Sequence, residues 1–154
     1  MPGLEPPRGM YPSHLDEKGR AKLPVSFQQY FSALPEKKLF VTSLNRITAQ
    51  VYPMSVWRGN ENFFADYRED PEAAAAVAFN AADLGVETEM DAQGRILFPT
   101  ELRRELNIEG QAVRLFFYKG RMEVLSEKIY EERKRKAAER AQEDVAKLEK
   151  AGLN

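Results

Sequence analysis

The feature that most constrains the fold is a motif that occurs twice in this 154-residue chain. Residues 15–31 read LDEKGRAKLPVSFQQYF, and residues 90–106 read MDAQGRILFPTELRREL. Both copies contain Asp-x-x-Gly-Arg-x-x-x-Pro without a gap, at an offset of 75 residues. Such self-similarity predicts two diverged copies of one supersecondary unit.

Each copy of the motif predicts a tight turn between short strands. Asp16 and Asp91 can accept hydrogen bonds from the backbone ahead of them. Gly19 and Gly94 can adopt a positive φ without strain. The four residues after each glycine, 20–23 and 95–98, are strand candidates.

A proline follows each of these strands, and its fixed φ suits the first turn of a helix. Two apolar residues four positions apart share one face of each predicted helix: Phe27 and Phe31 in the first copy, Leu102 and Leu106 in the second. Ser26 and Thr100 lie near the helix starts, and we expect their hydroxyls to cap the helices.

The similarity continues beyond these helices with two further strands and a second helix in each copy. The strands are expected at residues 38–42, 47–52, 112–118 and 121–125. The helices start near Pro53 and Ser126, with Ser55 and Ser126 as candidate caps. One copy is too small to bury its own core. Two copies can interleave around a pseudo-twofold axis and close a small barrel without exposed strand edges.

Two further segments of the chain are also predicted to be helical. Residues 62–84 lie between the copies and have strong helix propensity from Pro71 onward, which indicates a connecting helix. Residues 131–150 carry charges of both signs at helical spacing, which indicates a solvated helix. Its basic run at residues 133–136 is typical of an exposed helix face, and it could add non-specific affinity for DNA.

The residue content argues against several classes of function. The chain has no cysteine, which excludes disulfides, thiolate metal sites and a cysteine nucleophile. The single histidine, His14, would have to carry a catalytic triad or a zinc site alone, and we expect it in a loop. There is no glycine-rich phosphate loop. We therefore expect neither an enzyme nor a cofactor.

The hydropathy pattern predicts no membrane partner. No stretch of about 18 apolar residues occurs. Residues 1–8 lack the charged start and apolar run of a signal peptide. We expect a cytoplasmic protein.

The formal net charge of −1 excludes a uniformly basic surface, but the charges are unevenly distributed. Residues 60–94 contain nine acids and one basic residue, Arg68. The rest of the chain is net basic by difference, so a near-neutral total can conceal a positive face.

The repeated motif followed by a short helix resembles the swapped-hairpin AbrB/SpoVT fold. Two copies in a chain of this length resemble the MraZ family. Arg8-Gly9 stands ahead of the first copy at the spacing of that family's N-terminus. Residues 51–57, VYPMSVW, resemble its LYPxxxW segment, and residues 90–99 resemble its second signature. The resemblance covers roughly residues 8–130.

The resemblance implies an α+β fold. We expect a tandem-duplicated swapped-hairpin (AbrB/SpoVT-like) small β-barrel with peripheral helices and a charged C-terminal helix. The expected parts are the first repeat at residues 8–58, a helical connector at 59–85, the second repeat at 86–130 and the charged tail at 131–154.

The resemblance also implies a transcriptional regulator that binds double-stranded DNA in the nucleoid. Proteins of this family act on the promoter of the bacterial division and cell-wall gene cluster through short direct repeats, and they assemble into homo-oligomeric rings. A repressor is the expected sign of regulation.

Arg20 and Arg95 are the main candidates for DNA contact, because a guanidinium pairs with phosphate or with guanine O6 and N7. Lys18 and Lys22 are candidate phosphate contacts, and Gln93 takes the place of Lys18 in the second copy. Arg8 is a weaker candidate for DNA contact. Residues 101–104 resemble an exposed helix face, on which Arg103 and Arg104 are candidates for subunit or phosphate contacts. Four residues would form the turns themselves: Asp16, Gly19, Asp91 and Gly94.

Other interpretations stay open at this point. The Asp-x-x-x-Arg pair can be an internal salt bridge that pins the turn, and this role is compatible with DNA contact because arginine has donors to spare. An antitoxin-like or transition-state regulator of the same fold is one alternative function, although such antitoxins usually carry one copy. A scaffold that binds only protein is the alternative from a different class.

Overall fold

The computed structural model describes residues 4–154, so the first three residues of the N-terminal segment considered above lie outside it. Its strands are β1 (Tyr11–His14), β2 (Arg20–Lys22), β3 (Leu39–Thr42), β4 (Ala49–Pro53), β5 (Val86–Thr88), β6 (Arg95–Leu97), β7 (Ala112–Tyr118) and β8 (Arg121–Ser126). Its helices are α1 (Val25–Ala33), α2 (Met54–Asp66), α3 (Pro71–Leu84), α4 (Thr100–Leu106), α5 (Glu127–Glu139) and α6 (Ala141–Ala151).

The strands exchange partners between the two copies of the repeat. A six-stranded antiparallel sheet has the order β1-β7-β8-β4-β3-β5, so the first strand of each copy pairs with a strand of the other copy. Strands β2 and β6 pair with each other as a separate two-stranded ribbon. This arrangement of duplicated, swapped hairpins with peripheral helices confirms the predicted fold class. The sheet ends at β1 and β5, so the described strands do not close the expected barrel.

A pseudo-twofold axis relates the copies. Ala21 lies opposite Ile96 in the ribbon, and Ala49 lies opposite Val124 in the large sheet. Both pairs join equivalent positions of the two copies, which are 75 residues apart. The axis therefore passes through the middle of the ribbon and through the β4–β8 pair.

The core lies between the ribbon, the large sheet and the helices α1 and α4. The apolar positions predicted for the two helices are all buried: Phe27, Phe31, Leu102 and Leu106. Burial of each such side chain contributes about 1.5–3 kcal/mol to folding. A smaller cluster around Trp57 joins α2 and α3 to the sheet. The two copies thus share one core that neither could form alone.

The helix starts differ from the expected caps. Pro24 and Pro99 occupy the cap positions of α1 and α4, and their carbonyls accept the first helical N–H bonds. Ser26 and Thr100 lie inside the helices and cap neither of them, because the proline φ already directs the chain into the first turn. Ser126 caps α5 by accepting from the Ile129 N–H at 3.2 Å.

The prediction of a serine cap for α2 was also wrong. Ser55 lies within α2, and Pro53 takes the cap position there without a side-chain hydrogen bond. The expected connecting helix consists of the end of α2 and all of α3, and the charged tail is divided at Arg140 into α5 and α6.

The predicted loop position of His14 was wrong. His14 is the last residue of β1 and pairs with Ala112. Across residues 4–154, the structure contains no helix that is long and apolar enough to span a membrane.

Candidate nucleic-acid interface

The first repeated turn is organised around the carboxylate of Asp16. Its Oδ1 accepts hydrogen bonds from the backbone N–H groups of Lys18 and Arg20 at 3.0 and 2.9 Å. Its Oδ2 accepts from Nε of Arg20 at 3.0 Å. The Gly19 N–H closes the turn onto the Asp16 carbonyl at 3.0 Å. One side chain thus holds both the backbone of the turn and the guanidinium that follows it.

The second turn repeats this geometry bond for bond. Oδ1 of Asp91 accepts from the N–H groups of Gln93 and Arg95 at 2.9 Å each. Oδ2 accepts from Nε of Arg95 at 2.9 Å. The two arginines are therefore held in equivalent poses on either side of the pseudo-twofold axis.

These bonds lower the pKa of both aspartates. For Asp16 the largest cause is the hydrogen bond from the Arg20 backbone N–H, which outweighs an opposing effect of desolvation. The side-chain hydrogen bond and the charge of Arg20 add to it. The pKa of Asp91 is lowered in the same way by Arg95. Both carboxylates are therefore ionised at neutral pH.

The two turns are locked onto each other by backbone hydrogen bonds between the copies. The Leu23 N–H donates to the Gly94 carbonyl, and the Phe98 N–H donates to the Gly19 carbonyl, each at 2.9 Å. Each glycine also has a positive φ, +84° at Gly19 and +76° at Gly94. The turns therefore cannot move independently of the ribbon.

Each turn also packs against a helix of the copy opposite. A Cβ at Gly19 would overlap the guanidinium of Arg103 on α4, and a Cβ at Gly94 would overlap the amide of Gln28 on α1. Arg103 and Gln28 are equivalent residues of the repeat, and each donates to a backbone carbonyl, of Phe98 and of Leu23 respectively. A side chain at either position would combine a strained backbone at positive φ with displacement of the guanidinium or of the amide.

The alternation of side chains gives the ribbon a buried side and an exposed side. Ala21 and Ile96 point into the core and are fully buried. Four side chains lie on the opposite side, which we call the ribbon face: Arg20, Lys22, Arg95 and Leu97. Arg20 stands directly across from Leu97, and Arg95 stands directly across from Lys22.

The arginines of the ribbon face are half-buried but keep donors free. Their side chains are 28% exposed at Arg20 and 26% exposed at Arg95. In residues 4–154, each guanidinium uses Nε for its aspartate, and neither terminal nitrogen has a hydrogen bond within the chain. The internal salt bridge and an outward contact are thus compatible in the same side chain. The terminal nitrogens of both guanidinium groups are therefore left for a partner outside the described residues.

The structure brings some of the remaining candidates to the ribbon face. Lys18 and Gln93 are exposed in the two turns, and Nζ of Lys22 donates to the Gln93 carbonyl. Arg8 lies before β1 and pairs with Glu5 at 3.0 Å. Arg104 is exposed on α4, 3.7 Å from Glu101.

Arg103 differs from its expected exposed position. It is only 9% exposed, and its guanidinium contacts the Phe98 carbonyl, the Thr100 hydroxyl at 3.3 Å and Glu109 at 3.4 Å. It supports the Gly19 turn from beneath. The alignment of Arg103 with Gln28 could have predicted this burial. Two polar residues at equivalent positions, each next to the apolar face of its helix, indicate a structural contact that both copies share.

Sequence reasoning also missed Leu97, which is 46% exposed in the ribbon face. Its equivalent in the first copy is Lys22. The pattern predicted that Leu97 lies in a strand, but no local signal indicated that its side chain is exposed on the ribbon.

The fold and this site define a class of protein: a duplicated swapped-hairpin protein that presents a pair of aspartate-anchored arginines on an exposed β-ribbon. Comparison with known proteins assigns the chain to a family. The family model described as "MraZ protein, putative antitoxin-like" matches residues 85–150.

Three curated relatives are each called "Transcriptional regulator MraZ". The protein of Acidobacterium capsulatum is 31% identical over 81% of this chain and 85% of its own length. That of Koribacter versatilis is 32% identical over 71% and 76%, and that of Desulfitobacterium hafniense (strain Y51) is 33% identical over 84% and 87%. The chain therefore belongs to the MraZ family, a family of transcriptional regulators and not of enzymes.

Proposed function

We propose that this protein binds double-stranded DNA in a sequence-specific manner through the ribbon face. The observation that carries the proposal is the pair of half-buried arginines, each anchored to its aspartate through Nε and each with no hydrogen bond from its terminal nitrogens within residues 4–154. The major groove of B-DNA admits a two-stranded β-ribbon. A guanidinium held in advance loses little side-chain entropy when it forms a bidentate contact with guanine O6 and N7.

The residues around the arginines would position the protein on the DNA backbone. Lys22 is exposed in the ribbon face and Lys18 is exposed in the adjoining first turn, where an ammonium group can reach a phosphate. Gln93 is exposed in the second turn and can donate to a phosphate or a base edge. Arg8, which is 80% exposed, can add a phosphate contact from the segment before β1. Phosphate contacts of this kind set the register and carry no sequence information by themselves.

The biological role is proposed from the family. The resemblance to MraZ favours a cytoplasmic, nucleoid-associated repressor. Its target would be the promoter of the division and cell-wall gene cluster. A homo-oligomeric ring would allow several copies to engage short direct repeats at once. Each weak contact then gains from the effective concentration that its neighbours create.

The test is DNA binding measured by fluorescence anisotropy. The region upstream of the protein's own gene is compared with a scrambled duplex at two salt concentrations, for the wild type and for Arg20→Ala. Arg140→Ala is the matched control, because Arg140 is a 70% exposed arginine on the tail. We expect loss of specific binding in Arg20→Ala alone, with thermal unfolding curves that show both variants folded.

The number of repeats provides a second readout. Duplexes with one, two and three repeats should bind with steeply rising affinity if a ring engages them together. Equal affinity for one repeat and for several would contradict the ring. Absence of any preference for the native duplex, with Arg20→Ala like the wild type, would contradict specific DNA binding and favour a scaffold that binds only protein.

A further inference from the structure

The backbone of the ribbon obeys the pseudo-twofold axis, but the side chains of the ribbon face do not. Arg20 and Arg95 are equivalent, and so are their bonds to Asp16 and Asp91. The residues directly across from them differ. Arg95 faces Lys22, whereas Arg20 faces Leu97. One half of the face therefore combines an arginine with a lysine, and the other half combines an arginine with an apolar side chain.

Leu97 is not part of the buried core. It is 46% exposed, and the residues before and after it, Ile96 and Phe98, supply the buried positions of the strand. At the equivalent position, Lys22 is exposed and its Nζ reaches the Gln93 carbonyl across the ribbon. A lysine at position 97 would find the Lys18 carbonyl in the equivalent place. The fold thus accepts either residue type at this position.

An apolar side chain beside an arginine on a groove-binding ribbon matches one particular feature of DNA. In the major groove, guanine presents the O6 and N7 acceptors that suit arginine, and thymine presents a C5-methyl group that suits an apolar contact. Phosphate, in contrast, would be contacted by a lysine such as the one at position 22.

We propose that Leu97 is a specificity-determining residue that contacts a thymine methyl group next to the base that Arg20 reads. The proposal rests on the proposed function, because it requires the ribbon face to enter the major groove. It has a direct consequence for the DNA site. Since only one half of the face carries the leucine, a single chain recognises a non-palindromic sequence despite its pseudo-twofold backbone. Each bound chain then has a defined direction along the duplex.

The experiment begins with selection from a random duplex library by the wild-type protein. Each thymine of the selected sequence is then replaced in turn by deoxyuridine, which lacks only the methyl group. Binding of each duplex is measured for the wild type, Leu97→Ala and the control Leu148→Ala. Leu148 is a leucine of similar exposure, 52%, on α6.

We expect a non-palindromic selected sequence with one thymine whose replacement weakens wild-type binding about fourfold, the amount that corresponds to one buried methyl group. The same replacement should have no effect on Leu97→Ala, which already lacks the contact. Leu148→Ala should respond as the wild type does. This cycle isolates the contact between leucine and methyl group from any general loss of affinity.

A second variant, Leu97→Lys, restores the symmetry of the ribbon face. We expect it to lose the preference for thymine and to bind with a salt dependence steeper by about one unit of slope, because one more phosphate is neutralised. Since a lysine already occupies the equivalent position 22, the variant should fold, which thermal unfolding checks.

The outcomes separate this inference from the proposed function. A palindromic selected sequence, or an equal response of the wild type and Leu97→Ala at every thymine, overturns the role of Leu97 while specific binding that requires Arg20 still stands. Failure of the wild type to enrich any sequence overturns both.

Discussion

At the scale of single residues, the site depends on two aspartates that each serve several donors. The backbone and the arginine both donate to the same carboxylate, so the turn and the guanidinium are held by one group. The glycine between them has to combine a positive φ with a close approach to a helix. Asp16 and Gly19 are therefore positioning residues for Arg20, and the same holds for their equivalents in the second copy.

The first prediction concerns Gly19. We expect Gly19→Ala to lower the free energy of unfolding by at least about 1–2 kcal/mol, since a Cβ is strained at positive φ. Overlap with Arg103 adds to this cost. Gly110→Ala is the control for the backbone effect alone, because Gly110 has a φ of +61° and nothing near its missing Cβ.

Urea denaturation of these variants measures both effects. Gly19→Ala should be less costly in an Arg103→Ala background than in the wild type, because the overlap has been removed. Equal costs for Gly19→Ala and Gly110→Ala would contradict the close packing of the turn.

The second prediction concerns pH. The folded state lowers the pKa of Asp16 and Asp91, so their ionised forms stabilise the fold. This stability is fully present above the ordinary aspartate pKa of 3.8 and is lost as the pH falls through the lower folded values. Asp16→Asn should therefore be less stable than the wild type at pH 7, and the difference should shrink as the pH falls below that ordinary value.

Denaturant titrations of both proteins over this pH range provide the measurement. Ser26→Ala, outside the turn, serves as a control whose difference from the wild type should not change with pH. A constant difference for Asp16→Asn would show that the ionised carboxylate contributes nothing to the turn.

At the scale of elements, the ribbon has only three residues per strand and cannot be stable by itself. It is held by the hydrogen bonds between the two turns and by the burial of Ala21 and Ile96. Helices α1 and α4 cover the core beneath it. Because the arginines belong to this ribbon, packing of the helices determines how rigidly they are presented.

The loop between β3 and β4 links other elements to the same core. Arg46, which has a φ of +60°, donates to Asn80 and Asp83 of α3 and to Glu105 of α4 at 2.7–3.0 Å. Three elements that are distant in sequence thus converge on one side chain. The connector helix is thereby tied to the second copy.

The third prediction is that the buried face of α1, which packs beneath the ribbon, contributes strongly to the free energy of unfolding of the protein. Phe27→Ala should lower the free energy of unfolding by about 3–5 kcal/mol, because it opens a cavity where Phe27 contacts Tyr11 and Phe117. Val25→Ala on the same helix should change it by less than about 0.5 kcal/mol, since Val25 is 67% exposed.

Chemical denaturation followed by circular dichroism compares the two variants. A cost of Phe27→Ala as small as that of Val25→Ala would contradict the packing described for α1.

At the scale of the whole molecule, charge is separated between regions. Residues 60–94, which include α3, hold nine acids against one base, although the net charge is −1. The ribbon face carries three cationic side chains and no acid among its four residues. The separation is not complete, because Asp91 belongs to the acidic segment and pairs with Arg95, as Asp16 pairs with Arg20. Within the described residues, Lys22 is the cation of the ribbon face that has no carboxylate partner.

The fourth prediction concerns the C-terminal tail. Neither α5 nor α6 has a buried residue, so removal of residues 141–154 should change the free energy of unfolding by less than about 0.5 kcal/mol. The deletion removes all of α6 and leaves the core untouched. A protein lacking these residues should unfold at the same denaturant concentration as the full chain.

Measurement at several protein concentrations makes the test sharper. A loss of stability on deletion that grows with protein concentration would mean that α6 packs against another copy of the chain, contrary to the prediction, because association stabilises the full chain more at higher concentration.

Much of the element-level structure was readable from the sequence. The turns, the short strands after Gly19 and Gly94, and the buried pairs of α1 and α4 all follow from local rules: positive φ at glycine, fixed φ at proline and apolar residues four apart. The caps of α1, α2 and α4 were misassigned because a hydroxyl residue near each helix start was preferred over the proline at the cap position, whereas Ser126 caps α5 as predicted.

What the sequence by itself determined is therefore the duplicated unit, its turns and the positions of its candidate arginines, because these depend on contacts between residues a few positions apart. Only the tertiary structure decided which residues of one copy meet which residues of the other. The pairing of Arg20 with Leu97, and the packing of Arg103 beneath Gly19, join residues more than 70 positions apart. Strand register over such distances is set by which face is buried in the shared core, and no local signal in the chain encodes it.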